Sequence, residues 1–372
     1  MSGSFRELAL ADIVGELPGV GAFSSNPSAA RDLDVWIATL GFEERCYAVG
    51  NALADEGARA AHVLICTYET NTADNQANAD AIIECARRLG RDPEWIAADQ
   101  LGFADALRRR LRALRDDAAR PLRVAWDMSA ASNEVTVILA SVLFETDCDL
   151  EVMYAEAAVY FPTILEYQSD PGRWHGEERM GLDQGTLNIR ISSEHPGEHS
   201  SQLPHHLVVI PGYSRDRVRR VISRIEAAFL DDLPGAPITW MIGTPHKAAD
   251  AWRRQALLEI HAVPREHDPV ELSTFHYTDT MNELERVHVQ WGLKRNITLC
   301  PMGSKLQALG CALFCRSRPD VRVMFAQPEQ YNASHYTEGV SHLWSVVFGR
   351  VDVLDARLGE VGTLVRSSTC EG

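Results

Sequence analysis

Three groups of residues in this chain have the types and spacing to handle a charged ligand. The first is the run Cys300-Pro301-Met302-Gly303-Ser304-Lys305, which closes a short apolar stretch and opens a helical one. A glycine turn at the start of a helix leaves backbone N–H groups facing outward, and these suit an anion. Lys305, in the first turn, adds a point charge. The second group is Asp127-x-Ser129-x-x-x-Asn133, which crowds three polar groups into one turn after an apolar strand. The third is a pair of similar loops: Gly41-Phe42-Glu43-Glu44-Arg45 and Gly212-Tyr213-Ser214-Arg215, with Arg217 close behind.

Each group carries two readings. Gly303 can be a glycine that the turn geometry demands, beside a solvated lysine. The turn lacks the Gly-x-x-x-x-Gly-Lys-Ser/Thr spacing of a Walker A loop, so nothing supports ATP-driven chemistry. Asp127 can cap the helix after it. Alternatively, Asp127, Glu43, Glu69 and Glu156 can form an acidic rim for a divalent cation. In that case Lys305 and Arg45 would steady a phosphoryl group, and Asp127, Lys305 and Arg45 are the catalytic candidates. No fixed ligand spacing identifies a metal or any cofactor. His246-Lys247 and His335-Tyr336 are weaker acid–base candidates. Motifs for a zinc protease, a serine hydrolase or a thiol hydrolase are absent from the sequence.

These residues need elements to hold them. In parallel α/β sheets, ligands bind beyond the carboxyl ends of the strands, and all the candidates fall there. Runs such as DVWIATL (34–40), HVLIC (62–66), the stretch 122–126, the stretch 206–210, WMIG (240–243), 296–300 and 321–325 read as buried strands. Helices of ten to sixteen residues separate them, which predicts mainly parallel sheets covered by helices. The two stretches 121–154 and 296–325 share one order: strand, small-residue turn, helix, strand. VMYAEAAVY (152–160) and VMFAQPEQY (323–331) continue alike. The expected architecture is therefore α/β, with two tandem Rossmann-like units made by internal duplication. The units span 34–160 and 206–335. An N-terminal extension (1–33), with a helix over 5–17, precedes them. A Pro/Gly-rich linker or insertion (161–205), with one short strand at 186–191, lies between them. A C-terminal helix (340–348) and tail (336–372) follow, with an edge strand or packed tail at 351–358.

Composition bounds the function. The 372 residues suffice for two cores. The formal net charge of −16 argues against a broad nucleic-acid surface. The arginines at 108–115 are spread round a helix and read as a solvated face. No apolar run of membrane-spanning length occurs, and the opening MSGSFRELALADIVGELPG does not read as a secretory leader. The eight cysteines lie mostly in apolar elements without Cys-x-x-Cys pairs, which predicts buried free thiols and a cytoplasmic location.

The strand, Gly-Ser-Lys turn and helix at 296–315 resemble the signature of the CRISPR-associated Rossmann-fold domains, cyclic-oligonucleotide sensors of prokaryotic antiviral defence. The resemblance implies that Met302, Gly303, Ser304 and Lys305 meet ligand phosphates. Asp127, Ser129 and Asn133 would form the matching turn of the first unit. The loops 41–45 and 212–215 would complete the pocket. Pro301-Met302 stands where a Thr-Gly pair is common in that family, and no separate nuclease or helix-turn-helix domain is evident after the sensor unit. The leading expectation is a sensor or accessory protein that binds a phosphorylated small molecule or nucleotide. A metal-assisted phosphoesterase and a structural subunit with a protein partner or homodimer are the alternatives.

Overall fold

A computed structural model describes residues 10–23, 32–98, 102–169, 183–225, 237–264 and 267–369. The first unit runs β1 (Asp32–Thr39), α1 (Arg45–Asp55), β2 (Arg59–Thr67), α2 (Ala79–Arg88), β3 (Glu94–Ala97), α3 (Phe103–Ala118), β4 (Leu122–Asp127), α4 (Asn133–Phe144) and β5 (Cys148–Glu156). The second begins with β6 (Asn188–Ile191), β7 (His205–Ile210), α5 (Arg215–Ile225), β8 (Ile238–Thr244) and α6 (Trp252–Ile260). It continues with β9 (Val270–Ser273), α7 (Tyr277–Trp291), β10 (Asn296–Pro301), α8 (Lys305–Ser317) and β11 (Arg322–Gln327). The chain then adds β12 (His342–Arg350) and α9 (Val351–Thr369).

Both sheets hold five parallel strands in one order. In the first they lie β3-β2-β1-β4-β5, and in the second β9-β8-β7-β10-β11. Each sheet gains an antiparallel edge strand: β12 beside β5, and β6 beside β11. A two-residue strand at 21–22 extends the first sheet past β12. In this order the chain reverses direction across the sheet between the first and fourth strands, and the loops leaving those strands make the crevice. Those loops follow β1 and β4 in one unit, and β7 and β10 in the other.

Strand residues alternate between two cores, as a period of two requires. Val35 and Ile37 face inward, while Trp36 and Ala38 face α1 and α2 on the outside. Val208 and Ile210 face inward, while Leu207 and Val209 face α5 and α6. One continuous core joins the inner faces of both sheets through α3, α4, α7, α8 and α9. Every residue of α4 from Val135 to Phe144 is buried. That explains a helix written with β-branched residues (NEVTVILASVLF): it packs against the first sheet on one side and against α8 on the other. Helix α8 is buried likewise from Leu306 to Cys315.

The C-terminal region departs from the sequence reading. Residues 340–348 were expected to be helical, but His342–Arg350 is a strand. Trp344, Val346 and Phe348 all turn toward the inner core, whereas Leu343 packs on the outer one and Val347 is 60 % exposed. A short apolar run does not fix its own period; pairing with β5 decides it here. The stretch 351–358, expected as strand or tail, begins α9. The linker's short strand forms as β6 and joins the second sheet. Of the expected N-terminal helix, Leu10–Val14 is helical, and residues 5–9 lie outside the described residues. The seven described cysteines are buried and free. No helix among the described residues is long and apolar enough to cross a membrane.

Candidate functional site

The two helix-opening turns meet. Ser132 caps α4 by accepting from the Val135 amide at 3.1 Å, and Ser304 caps α8 by accepting from the Gln307 amide at 3.1 Å. Gln307 returns the bond, its Oε1 accepting from the Ser304 amide at 2.8 Å, which completes a capping box. Asn133, the first residue of α4, donates its carboxamide to the carbonyls of Pro301 and Gly303 at 3.1 and 2.9 Å. The fourth-strand turn of one unit is thus bonded to the fourth-strand turn of the other. Gly303 is required there, because a Cβ would sit 2.8 Å from Ile210 Cγ2. Gly212 is required for a similar reason, its Cβ position lying 2.6 Å from the Met302 carbonyl oxygen. Gly41 makes the corresponding approach in the first unit, against Ala130.

A cleft with two lobes opens over this junction. The smaller, of about 140 Å³, is walled by Gly41-Phe42-Glu43, the start of α4 and the residues that follow β11. The larger, of about 270 Å³, is walled by the loop after β7, the loop after β8, Arg45 and the end of β5. Met302, Gly303, Lys305, Arg217 and Tyr336 border both lobes, and this shared boundary is the neck of the cleft.

Charge is concentrated at the neck. Arg45 is only 3 % exposed and donates to Glu43 Oε1 at 2.6 Å and to the Ala155 carbonyl at 3.0 Å. Its Nε has no hydrogen-bond partner among the described residues. Burial opposes the charge on Arg45, but Glu43 and the electron-rich rings of Tyr160 and Tyr154 outweigh it, and the guanidinium stays protonated. Glu43 also accepts from the Thr337 hydroxyl. Arg217 pairs with Asp183 at 3.0 Å and donates to the Ala326 carbonyl at 2.9 Å. Lys305 stands among Glu43, Arg45 and Arg217 without an ion pair among the described residues. Burial pushes its pKa down to about 8, Glu43 works against that, and the two arginines reinforce it.

Further pairs line the lobes. Arg190 bonds Glu134 at 2.9 Å beside the smaller one. In the larger, Glu156 takes Lys247 at 2.8 Å and the Trp344 indole at 3.1 Å, and Arg253 takes Asp250 at 3.2 Å and the Tyr213 hydroxyl at 3.2 Å. His246 lies 3.4 Å from Glu156 with its ring against Phe275, and burial lowers its pKa.

Several expected site residues fall elsewhere. Asp127 is 1 % exposed and borders neither lobe. Its Oδ1 accepts from the Ser129 amide at 2.9 Å and from the Ser129 hydroxyl, and that hydroxyl accepts from the Ala155 amide at 2.7 Å. Asp127 and Ser129 therefore pin β4 to β5 beneath the cleft, and the cap is Ser132. Burial pushes the Asp127 carboxyl up to about 7. Glu69 is exposed and borders neither lobe. The acidic rim does not assemble: among the described residues no three metal-ligating side chains cluster. Arg215 opens α5 away from both lobes, and Arg217 enters the neck instead, two residues or about 200° further round the helix. His335 packs on Phe161, outside both lobes.

Sequence reasoning named His335-Tyr336 after β11 only as a weak acid–base pair and missed the aromatic wall that the segment builds. Its Tyr331 and Tyr336 pack with Phe42 at 6.0 and 5.5 Å between ring centroids. The Tyr331 amide donates to Asn71 Oδ1, and Asn71 Nδ2 donates back to the Tyr331 carbonyl, each at 2.8 Å. Asn71, with φ of +57°, sits in the left-handed region that asparagine tolerates. The tyrosines of YNASHYTEG (331–339) were the available signal. Compared with known proteins, the chain matches no protein-family model and no curated protein.

Proposed function

We propose that the protein binds a phosphorylated ligand, a nucleotide being the leading class, in the cleft where the two units meet. The observation that carries this is Lys305: a cation in the first turn of α8, at the neck of both lobes, without an ion pair among the described residues and with its pKa lowered by burial to about 8. The common strand order, the paired capping serines and the matched glycine approaches support origin by internal duplication. The likeness to antiviral sensor domains and the buried thiols fit a cytoplasmic sensor or accessory role in defence or signalling.

The test is native mass spectrometry of protein from its own host, followed by calorimetric titration with the phosphorylated compound released. A co-purified phosphorylated ligand is expected. Lys305→Met should weaken it about tenfold to a hundredfold, the loss of one hydrogen bond to a charged group. Unchanged affinity in that variant would sink the reading, and turnover of the bound compound would move it to the phosphoesterase alternative.

A further inference from the structure

The charges in the cleft set the charge and shape of what it can hold. Every carboxylate that borders the lobes is already engaged. Glu43 is held by Arg45, Asp183 by Arg217, Glu134 by Arg190, Glu156 by Lys247 and Asp250 by Arg253. Lys305 is the cation left over among the described residues that line the two lobes. A partly buried charge needs one opposite charge, and a second unmatched one is costly to bury. The neck therefore balances a monoanion. A phosphodiester carries one negative charge near neutral pH, whereas a terminal phosphate carries nearly two.

Position points the same way. Lys305 borders both lobes, so an anion held by it has a lobe on either side toward which a substituent can extend. The two spaces are unlike. The larger has about 270 Å³ against about 140 Å³, and Tyr154, Tyr160, Phe161, Tyr213 and Phe275 line it, each with a guanidinium or a ring against it. In the smaller, Phe42, Tyr331 and Tyr336 pack on one another, and Asn71, Asn75 and Gln327 supply polar lining. The units also differ at the decisive residue. The first residue of α4 is Asn133, already spent on the Pro301 and Gly303 carbonyls, while the first residue of α8 is Lys305. The cleft thus has one anion position, off its own pseudo-symmetry.

We infer that the ligand is a directional phosphodiester, with its single phosphate at Lys305, a planar aromatic group in the larger lobe and a small polar group in the smaller. This rests on the phosphate reading above. Stacking of a base on aromatic side chains and the greater volume of the larger lobe set which arm enters it.

The experiment is calorimetric titration of the full chain at pH 7 with the methyl esters of the four ribonucleoside 5′-monophosphates. Each is compared with its parent monophosphate, with dimethyl phosphate and with inorganic phosphate. At least one ester should bind tenfold or more tightly than both its parent and dimethyl phosphate. Tyr213→Leu should weaken that ester about tenfold and leave dimethyl phosphate unchanged; Phe275→Leu serves if Tyr213→Leu does not fold. Parents that bind as tightly as their esters would overturn the inference and leave the phosphate reading standing. So would dimethyl phosphate matching every ester. Binding of none of these compounds would overturn both.

Discussion

At the scale of single residues, burial decides which polar groups act on a ligand and which hold the frame. Asp127 and Lys305 were both expected at the chemistry, and they part company here. For Asp127 burial raises the folded pKa to about 7, well above the ordinary carboxylate range. The stability this contributes is fully present below about pH 4 and lost as pH rises through about 7. Asp127→Asn should keep the bond from the Ser129 amide and flatten the stability–pH curve between pH 4 and 7, read by urea unfolding, with ligand affinity unchanged. An unaltered slope would show that Asp127 does not titrate as its burial dictates. Lys305 has the opposite signature. Its pKa of about 8 rises when an anion binds, so binding should take up a proton near pH 8 and affinity should fall as pH rises through that value. Titration in buffers of different ionisation enthalpy reads the uptake, and none should remain in Lys305→Met. Residue types and their place after strands were legible in the sequence, and they picked out Gly303, Lys305, Arg45, Tyr213 and Asn133. Burial was not legible, which is why Asp127 and Glu69 looked equivalent to Glu43. Nor was helix phase, which separates Arg215 from Arg217.

At the scale of elements, the pair α4–α8 is the hinge-pin of the architecture, and its partner choice follows from its composition. Neither helix has a polar face, so each needs apolar cover on all sides. Leu309 of α8 is fully buried in the shared core. Leu309→Ala should cost about 2–5 kcal/mol, the range for a leucine truncated in a close-packed interior. Thermal unfolding should show one transition moved downward, and a shift confined to one of two separate transitions would contradict a shared core. The order of strands and helices was readable because fully buried parallel strands are long apolar runs. β12 was not, since its apolar residues are adjacent as well as alternate, and only the free edge of β5 settles their period.

At the scale of the molecule, the two units do not divide at the linker. The linker supplies β6 to the second sheet, and the segment beyond β11 returns β12 to the first. Arg108 of α3 and Arg316 of α8 both bond Glu145, adding a charged tie across the units. A fragment of residues 1–182 should therefore expose the inner face of α4 and bind hydrophobic dyes. Co-expression with 183–372 should restore a compact complex, measured by gel filtration. A monomeric, cooperatively folding 1–182 fragment would refute the shared-core description.

The return of β12 also has a consequence in time. Trp344 of β12 lies 188 residues beyond Glu156 of β5, the carboxylate that accepts from its indole. At a synthesis rate of roughly 5–20 residues per second, the ribosome needs about 10–40 s to deliver that partner. For that interval the edge of β5 is an open template for strand pairing. The nascent chain must either delay the docking of its first sheet or shelter that edge until the last strand emerges.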